Sequence, residues 1–260
     1  MKKIIVLAIL FINIIPIQGY EGIWPSDANE LTLAINNTIN PNEKDQNGDT
    51  LLHRAVKLSN LEPTVLLLNK NADPNIQNNN GETPLHAFTK GSTNLQIFLG
   101  PTTLQEANLN NAKLLLESNA NPNIIDNNGN TPLHIALMFN IPYLNSLIDM
   151  LFFYKANPLI QNNAGNTPLH IAAIHNKTPR TIFRILFEAL TYGTPVDAYL
   201  NIKNQEGKTP AQVASSQEIR GFLMNRDYLN KTISKIAKEL LKKNKTLFDI
   251  LSTREITGKK

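Results

Sequence analysis

The motif Thr-Pro-Leu-His occurs three times in this chain and constrains its fold more than any other feature. It begins at Thr83, Thr131 and Thr167, and weaker copies begin at Thr50 and Thr209, so consecutive threonines lie 33, 48, 36 and 42 residues apart. A base period of 33 residues with insertions of 15, 3 and 9 accounts for all four spacings. Self-similarity at such a period indicates a stacked repeat array, in which each unit packs only on its neighbours.

Each copy of the motif predicts the start of a helix. Threonine is a favoured N-cap residue because its side-chain oxygen accepts a bond from a backbone N–H group that otherwise lacks a partner. Proline suits the first helical position, where its missing N–H is no loss. We expect the leucine to be the first buried residue. The histidine, three residues after the threonine, can bond back to it or to a neighbouring loop.

A second helix and a turn complete each unit. Apolar runs at 65–68, 112–116 and 182–186 predict the second helices. We expect them to end at Asn71 and Asn119, because asparagine tolerates the left-handed conformation that ends many helices. A glycine two residues before each motif, with asparagine or aspartate three residues ahead of it, predicts a hairpin turn. These glycines are Gly48, Gly81, Gly129, Gly165 and Gly207.

Together these residues resemble the ankyrin repeat pattern, D/N-x-x-G-x-T-P-L-H-x-A followed by L-L-x-x-x-A-D/N-P-N, over residues 31–224. The resemblance implies an all-α solenoid of about five helix-turn-helix repeats with hairpin loops and helical caps. The chain departs from the pattern in an insertion at 91–105 and in a stretch at 191–200 that enlarges the last hairpin loop. The final copy lacks its leucine and histidine, as a degenerate capping repeat does.

The resemblance also implies where a partner protein binds. In the family, the hairpin tips and the exposed end of each first helix line one concave face. Met138, Phe139 and Ile174 fall at its centre, where exposed apolar residues within a polar rim resemble an interface hot spot. Alternatively, Met138 and Phe139 turn inward to fill space left by the three-residue lengthening. The candidate partner-binding residues are Asn79, Asn80, Glu82, Lys90, Asn127, Asn128, Asn130, Met138, Phe139, Asn163, Asn166, Ile174 and His175.

The residue types argue against catalysis. The chain has no cysteine, which excludes disulfides, thiol catalysis and cysteine metal sites. Four of its five histidines recur once per repeat, too far apart to converge on one metal ion. It has no HExxH, GxSxG or phosphate-binding glycine-rich loop. We therefore expect a monomeric, non-enzymatic scaffold without cofactor, metal or small-molecule substrate, which binds a protein that the sequence does not identify.

The N-terminus predicts export. Lys2 and Lys3 precede an apolar run from Ile4 to Ile15, and polar sequence begins at Tyr20. This is the layout of a secretory signal peptide at 1–19, and the run is short for a transmembrane helix of about 20 residues. An uncleaved anchor and a buried N-terminal helix are the alternatives. The abundance of Asn, Ile and Lys suggests an AT-rich genome, and the short signal suggests a bacterium, so we expect a periplasmic or secreted protein.

The C-terminus concentrates positive charge. Residues 231–260 contain nine basic and three acidic residues, a balance of +6, so the rest of the +4 chain carries −2. Leucine and isoleucine recur at helical spacing from Leu229 to Leu241, which predicts an amphipathic helix. We thus divide the chain into a signal peptide at 1–19, an N-terminal cap at 20–41, repeats at 42–224 and a basic helical cap at 225–260.

This basic helix also leaves a second hypothesis open. An anionic membrane surface or a nucleic acid could bind its lysines, although no aromatic residue interleaves them, which weakens the case for nucleic acid. The alternative function is a membrane-associated structural protein, held by an uncleaved N-terminal segment and by the basic C-terminal helix.

Overall fold

The computed structural model describes residues 28–37, 40–58, 61–91, 103–139, 141 and 143–243, which form helices and turns without a β-strand. The predicted signal peptide, most of the insertion at 91–105 and the segment 244–260 lie outside the described residues. The described helices are α1 (Ala28–Asn37), α2 (Leu51–Ala55), α3 (Glu62–Asn69), α4 (Pro84–Gly91), α5 (Thr103–Glu117), α6 (Pro132–Met138), α7 (Leu144–Phe153), α8 (Pro168–Ile174), α9 (Pro179–Thr191), α10 (Val196–Leu200), α11 (Pro210–Val213), α12 (Gln217–Met224) and α13 (Arg226–Lys243).

The helices pair into five repeats, which confirms the predicted array. Repeats 1 to 5 consist of α2 with α3, α4 with α5, α6 with α7, α8 with α9, and α11 with α12. The first helices of successive repeats contact one another in an unbroken row, α2 to α4 to α6 to α8 to α11. At the ends, α1 packs on repeat 1 and α13 packs on α9. No helix of the described ranges combines the length and the apolar character needed to cross a membrane.

The motif leucines form the centre of the core. Leu52, Leu85, Leu133 and Leu169 are completely buried, as predicted, and Ala211 takes the same position in the last repeat. Because they lie in successive first helices, they join one continuous apolar cluster that runs through the whole array. Burying a leucine fully stabilises a fold by about 1.5–3 kcal/mol, so this row is a major source of stability.

The second helices end as the asparagines predict. Asn71 and Asn119 adopt φ values of 62° and 66°. The N–H of Ala72 bonds to the carbonyl of Leu67, and that of Asn71 to Leu68, which is the Schellman pattern. The third repeat ends its second helix in the same way at Lys155, with φ 67°. The sequence gives no sign of this, because lysine is not a residue that favours the left-handed region.

The prediction of an enlarged hairpin loop at 191–200 is wrong. Helix α9 continues to Thr191 and stops before Gly193, whose φ is 79°, and α10 follows directly. The side chains of Val196, Tyr199 and Leu200 are buried, because they fall at i, i+3 and i+4 on one face of α10. The inserted residues thus add a short helix to the core of repeat 4.

Candidate functional site

A threonine–histidine pair closes the start of each first helix and joins it to the next repeat. The Thr131 N–H donates to His134 Nδ1 at 3.2 Å, and His134 Nε2 lies 3.0 Å from the carbonyl oxygen of Asn166 in repeat 4. The same bonds recur at His53, His86 and His170, which reach the carbonyls of Glu82, Asn130 and Lys208. Both partners predicted for these histidines, the threonine and a neighbouring loop, are therefore used.

This geometry fixes the histidines as neutral. A backbone N–H can only donate, so Nδ1 must accept, and the proton must sit on Nε2, from which it is donated to the next repeat. Burial lowers the pKa of His53, His86 and His170, and it lowers the pKa of His134 to about 4. The backbone bond of each Nε2 opposes this shift only in part. These four histidines join each repeat to the next, and His175 is the one histidine without this structural role.

The hairpin tips are joined by a ladder of bonds between repeats. The backbone N–H groups of Asn79, Asn127 and Asn163 donate to the carbonyls of Asn47, Asn80 and Asn128, at 2.9–3.0 Å. Their side-chain amides donate to carbonyls of the preceding tip as well. The tips thus form a rigid row along one edge of the array.

We call the exposed surface formed by this row of tips and by the adjoining sides of the first helices the tip face. Its outermost members are mostly neutral amides, because the exposed residues of the central tips are Asn79, Asn80, Asn127, Asn128, Asn163 and Ala164. The five asparagines belong to the predicted partner-binding set. His175 is also exposed, at the C-terminal end of α8.

Three predicted binding residues are largely used inside the protein. Glu82 is only 7% exposed and pairs with Lys90. Asn130 is 6% exposed, and its Oδ1 accepts a bond from Asn162 at 2.9 Å. Asn166 is half-buried and accepts a bond from Asn204 in the same way. Their binding role stays a prediction, but little of their surface is available for it.

Ion pairs mark the first two repeats. Lys57 Nζ lies 3.8 Å from Asp49, and Lys90 pairs with Glu82. In both repeats the acid directly precedes the motif threonine, and the lysine follows that threonine by seven residues. These two repeats also contain a polar cleft of about 280 Å³, lined by Asn47, Asp49, Lys57, Asn78, Asn79, Asn80 and Glu82. Sequence reasoning missed the pairing, although the constant spacing of seven was a usable signal.

Repeats 3 and 4 have apolar residues where repeats 1 and 2 have lysine. Met138 and Ile174 follow their motif threonines by seven residues, and asparagine replaces the acid. Met138, Phe139 and Ile174 are half-buried and contact the core cluster. These three side chains are therefore neither fully exposed nor fully turned inward, the two alternatives that the sequence left open. Each presents part of an apolar side chain to the surface at the middle of the array.

A buried lysine is hydrogen-bonded to the backbone beneath these apolar side chains. Lys177, 7% exposed, donates from its ammonium group to the carbonyl oxygen of Phe139 at 2.7 Å. Burial lowers the pKa of Lys177. The carbonyl belongs to the C-terminal cap of α6, so the positive charge also meets the negative end of that helix. The contact spans 38 residues of sequence and two repeats, and no local pattern predicts it.

The chain belongs to the ankyrin repeat family. A family model described as ankyrin repeats (3 copies) matches residues 26–99, 64–149 and 102–191, which together cover more than half of the chain. No curated protein matches the sequence. Ankyrin repeats generally mediate protein–protein interaction and are typically non-enzymatic modules. In the part of the chain that the structure describes, no three histidine, cysteine or acidic residues lie close enough to hold a metal ion together.

Proposed function

We propose that this protein is a non-enzymatic, monomeric scaffold that binds a partner protein through the tip face of repeats 3 and 4. One observation carries the proposal. At the same register position, repeats 1 and 2 present Lys57 and Lys90, whereas repeats 3 and 4 present Met138 and Ile174. Apolar side chains at these positions bring no advantage to a surface that only contacts water, whereas they give a binding surface an apolar centre.

The surroundings of Met138 and Ile174 fit an interface. Exposed amides at the tips can donate and accept hydrogen bonds without the desolvation cost of a charge. The ion pairs of repeats 1 and 2 lie to one side, where a polar rim is expected. The tip ladder and the Thr–His bonds keep the face rigid, so little conformational entropy is lost on binding.

Paired substitutions test the location of the binding surface. Met138→Lys with Ile174→Lys copies the residues of repeats 1 and 2, so the fold should tolerate the change. We expect partner binding to weaken at least tenfold, about 1.4 kcal/mol. Lys57→Gln with Lys90→Gln is the control and should change binding by less than about threefold, because exposed charges contribute little. The reverse result would place the site on repeats 1 and 2.

The partner for these titrations is obtained by photo-crosslinking in the native compartment. A crosslinking residue at Ala164, an exposed tip position, should capture it. The same residue at Phe153, which is 76% exposed at the end of second helix α7, is the control and should capture nothing. Equal capture at both positions would contradict a binding surface on the tip face.

We further propose that the protein is exported, with residues 1–19 as a cleaved signal peptide. The charged start and the apolar run from Ile4 to Ile15 support the proposal. Sequencing the N-terminus of the mature protein should give a start at or near Tyr20. Intact Met1 in a soluble cytoplasmic fraction would contradict export, and intact Met1 in a membrane fraction would favour the anchored alternative.

A further inference from the structure

The last helix, α13, has two opposite sides. Leu229 and Ile233 are buried, whereas Lys231 and Lys235 are exposed. At 3.6 residues per turn, Lys231, Lys235, Lys238 and Lys242 fall within about 60° of one another around the helix axis. We call these four positions the lysine stripe; around the helix axis they lie on the side opposite Leu229 and Ile233. From Lys231 to Lys242 the stripe covers twelve residues, or about 16 Å along the helix.

Aromatic contacts fix α13 to the array. Tyr228 packs edge-to-face against Phe183 of α9 and Phe222 of α12, with ring centroids 6.0 and 6.1 Å apart. Phe183 and Phe222 contact each other in the same manner at 5.1 Å. The Arg226 guanidinium bonds to Asn201 at 3.0 Å. These contacts hold α13 on repeats 4 and 5 and still leave Tyr228, Lys231 and Lys235 exposed.

In the repeats that the structure describes, no carboxylate neutralises the first two lysines of the stripe, Lys231 and Lys235. Among the residues that the structure describes, no carboxylate forms an ion pair with Lys231 or Lys235, whereas Lys57, Lys90, Lys113 and Lys208 all have one. Large apolar surface lies at the N-terminal end of the stripe. Tyr228 is 47% exposed and Met224, at the end of α12, is 65% exposed.

We propose that the lysine stripe of α13 is a docking surface for an anionic phospholipid bilayer. Four lysines in a straight row match a plane of negative headgroups, and each lysine near such a surface adds to the attraction. Tyr228 and Met224 supply apolar groups of the kind that enter the headgroup region. Single-stranded nucleic acid requires successive aromatic platforms, and no residue between Lys231 and Lys243 is aromatic.

Lipid docking is independent of the partner-binding proposal. The stripe is on α13, whereas the tip face is formed by the hairpins and the first helices. A protein that lacks one activity can therefore keep the other, and the two can fail separately. If both hold, the array presents its tip face to a partner at a membrane surface.

Vesicle sedimentation with the full chain tests the docking. The probes are phosphatidylcholine vesicles with and without about 30% phosphatidylserine, each at low and high salt. We expect binding to the anionic vesicles that falls as salt increases. The N-terminal segment, with Lys2 and Lys3 ahead of the apolar run from Ile4 to Ile15, is identical in the wild type and in the two variants described next, so the difference between those variants assigns the charge dependence to the stripe.

Two matched variants locate the charge. The stripe variant replaces Lys231, Lys235, Lys238 and Lys242 by glutamine, and the control replaces Lys57, Lys113, Lys203 and Lys208. Both remove four positive charges, so net charge alone cannot distinguish them. The stripe variant should bind anionic vesicles at least tenfold more weakly, and the control should stay within about threefold of the wild type.

Three results would overturn the proposal. The first is a wild-type chain that shows no preference for anionic vesicles. The second is equal loss of binding in the stripe variant and the control, which would mean that only total charge matters. The third is stripe-dependent binding to polyuridylate together with no binding to vesicles, which would assign the stripe to nucleic acid. Circular dichroism of both variants checks that they are folded.

Discussion

At the scale of single residues, the motif histidine satisfies two polar groups at once. His134 accepts from the N–H of Thr131 and donates to the carbonyl of Asn166. Removing it leaves a buried donor and a partly buried acceptor without partners, at up to about 1–3 kcal/mol each. The last repeat shows a substitute, because Gln212 Oε1 accepts from the N–H of Thr209 at 2.8 Å.

We therefore predict that His134→Ala destabilises the protein by about 3–5 kcal/mol, including the cavity it leaves. His134→Gln should cost less, because glutamine can still accept from the Thr131 N–H, as Gln212 does from Thr209. Urea denaturation at pH 7 measures both values. Equal costs for the two variants would mean that the bond to Thr131 contributes little.

A second prediction concerns Lys155, whose left-handed conformation strains an ordinary side chain. Lys155→Asn copies Asn71 and Asn119 at the equivalent helix ends and should stabilise the protein by up to about 1 kcal/mol. The Lys155 carbonyl, which accepts bonds from Asn123 and Tyr192, is unchanged by the substitution. Asn71→Lys is the reciprocal control and should destabilise the protein by a similar amount in thermal denaturation.

At the scale of elements, the hairpin glycines have two separate constraints. Gly129 has φ 76°, and a Cβ added there would lie 2.6 Å from the backbone nitrogen of Asn163 in the next repeat. Gly207 has nearly the same φ of 73°, but nothing lies within 4 Å of its added Cβ, because repeat 5 is the last of the described repeats. Comparing the two glycines therefore separates the cost of the left-handed backbone conformation from the cost of close packing between hairpins.

Alanine at these two positions should therefore differ in cost. Gly207→Ala has only the left-handed conformation to accommodate, at about 1 kcal/mol. Gly129→Ala must also push two hairpins apart, which should raise the total to about 3 kcal/mol or more. Denaturant midpoints of the two variants test this difference. Similar midpoints would show that the tips can separate at little cost.

The sequence predicted the structure correctly where the role of a residue depends only on its neighbours along the chain. Threonine at the N-cap, proline at the first position and glycine at φ near 75° each carry a local cause, so the motif and its turns were predictable. It failed where contacts join distant residues. Lys177 reaches Phe139, and the apolar face of α10 buries in repeat 4, through packing that no short window contains.

The candidate site shows the same division. Register alone placed Met138 and Ile174 at the surface end of their helices, and the exposed tip asparagines at the edge of the array. It did not show that both apolar side chains also contact the core, since that depends on the neighbouring repeats. Nor did it show that Glu82 and Asn130 are nearly covered by their own partners.

At the scale of the whole molecule, the histidines couple the stability of the array to pH. Each of four consecutive repeats holds a neutral histidine whose pKa is lowered by burial. In the window between the unfolded pKa of 6.5 and the lower folded pKa, the unfolded chain binds more protons, so stability falls as pH falls. The charged groups near His53 are Asp49, Glu82 and Lys57, and those near His86 are Asp126, Glu82 and Lys90. His134 has Asp126 nearby, together with the histidines His86 and His170.

We predict that the free energy of unfolding is highest above pH 6.5 and declines steadily towards pH 4. For His134, whose pKa falls from 6.5 to about 4, the share lost over this window is about 3 kcal/mol. Urea titrations of the wild type and His134→Gln at several pH values isolate that share, because glutamine does not titrate. The stability advantage of the wild type should shrink as pH falls through this window. An advantage that stays constant from pH 7 to pH 4 would mean that His134 accepts a proton without breaking its bonds, contrary to the geometry of its Nδ1 atom.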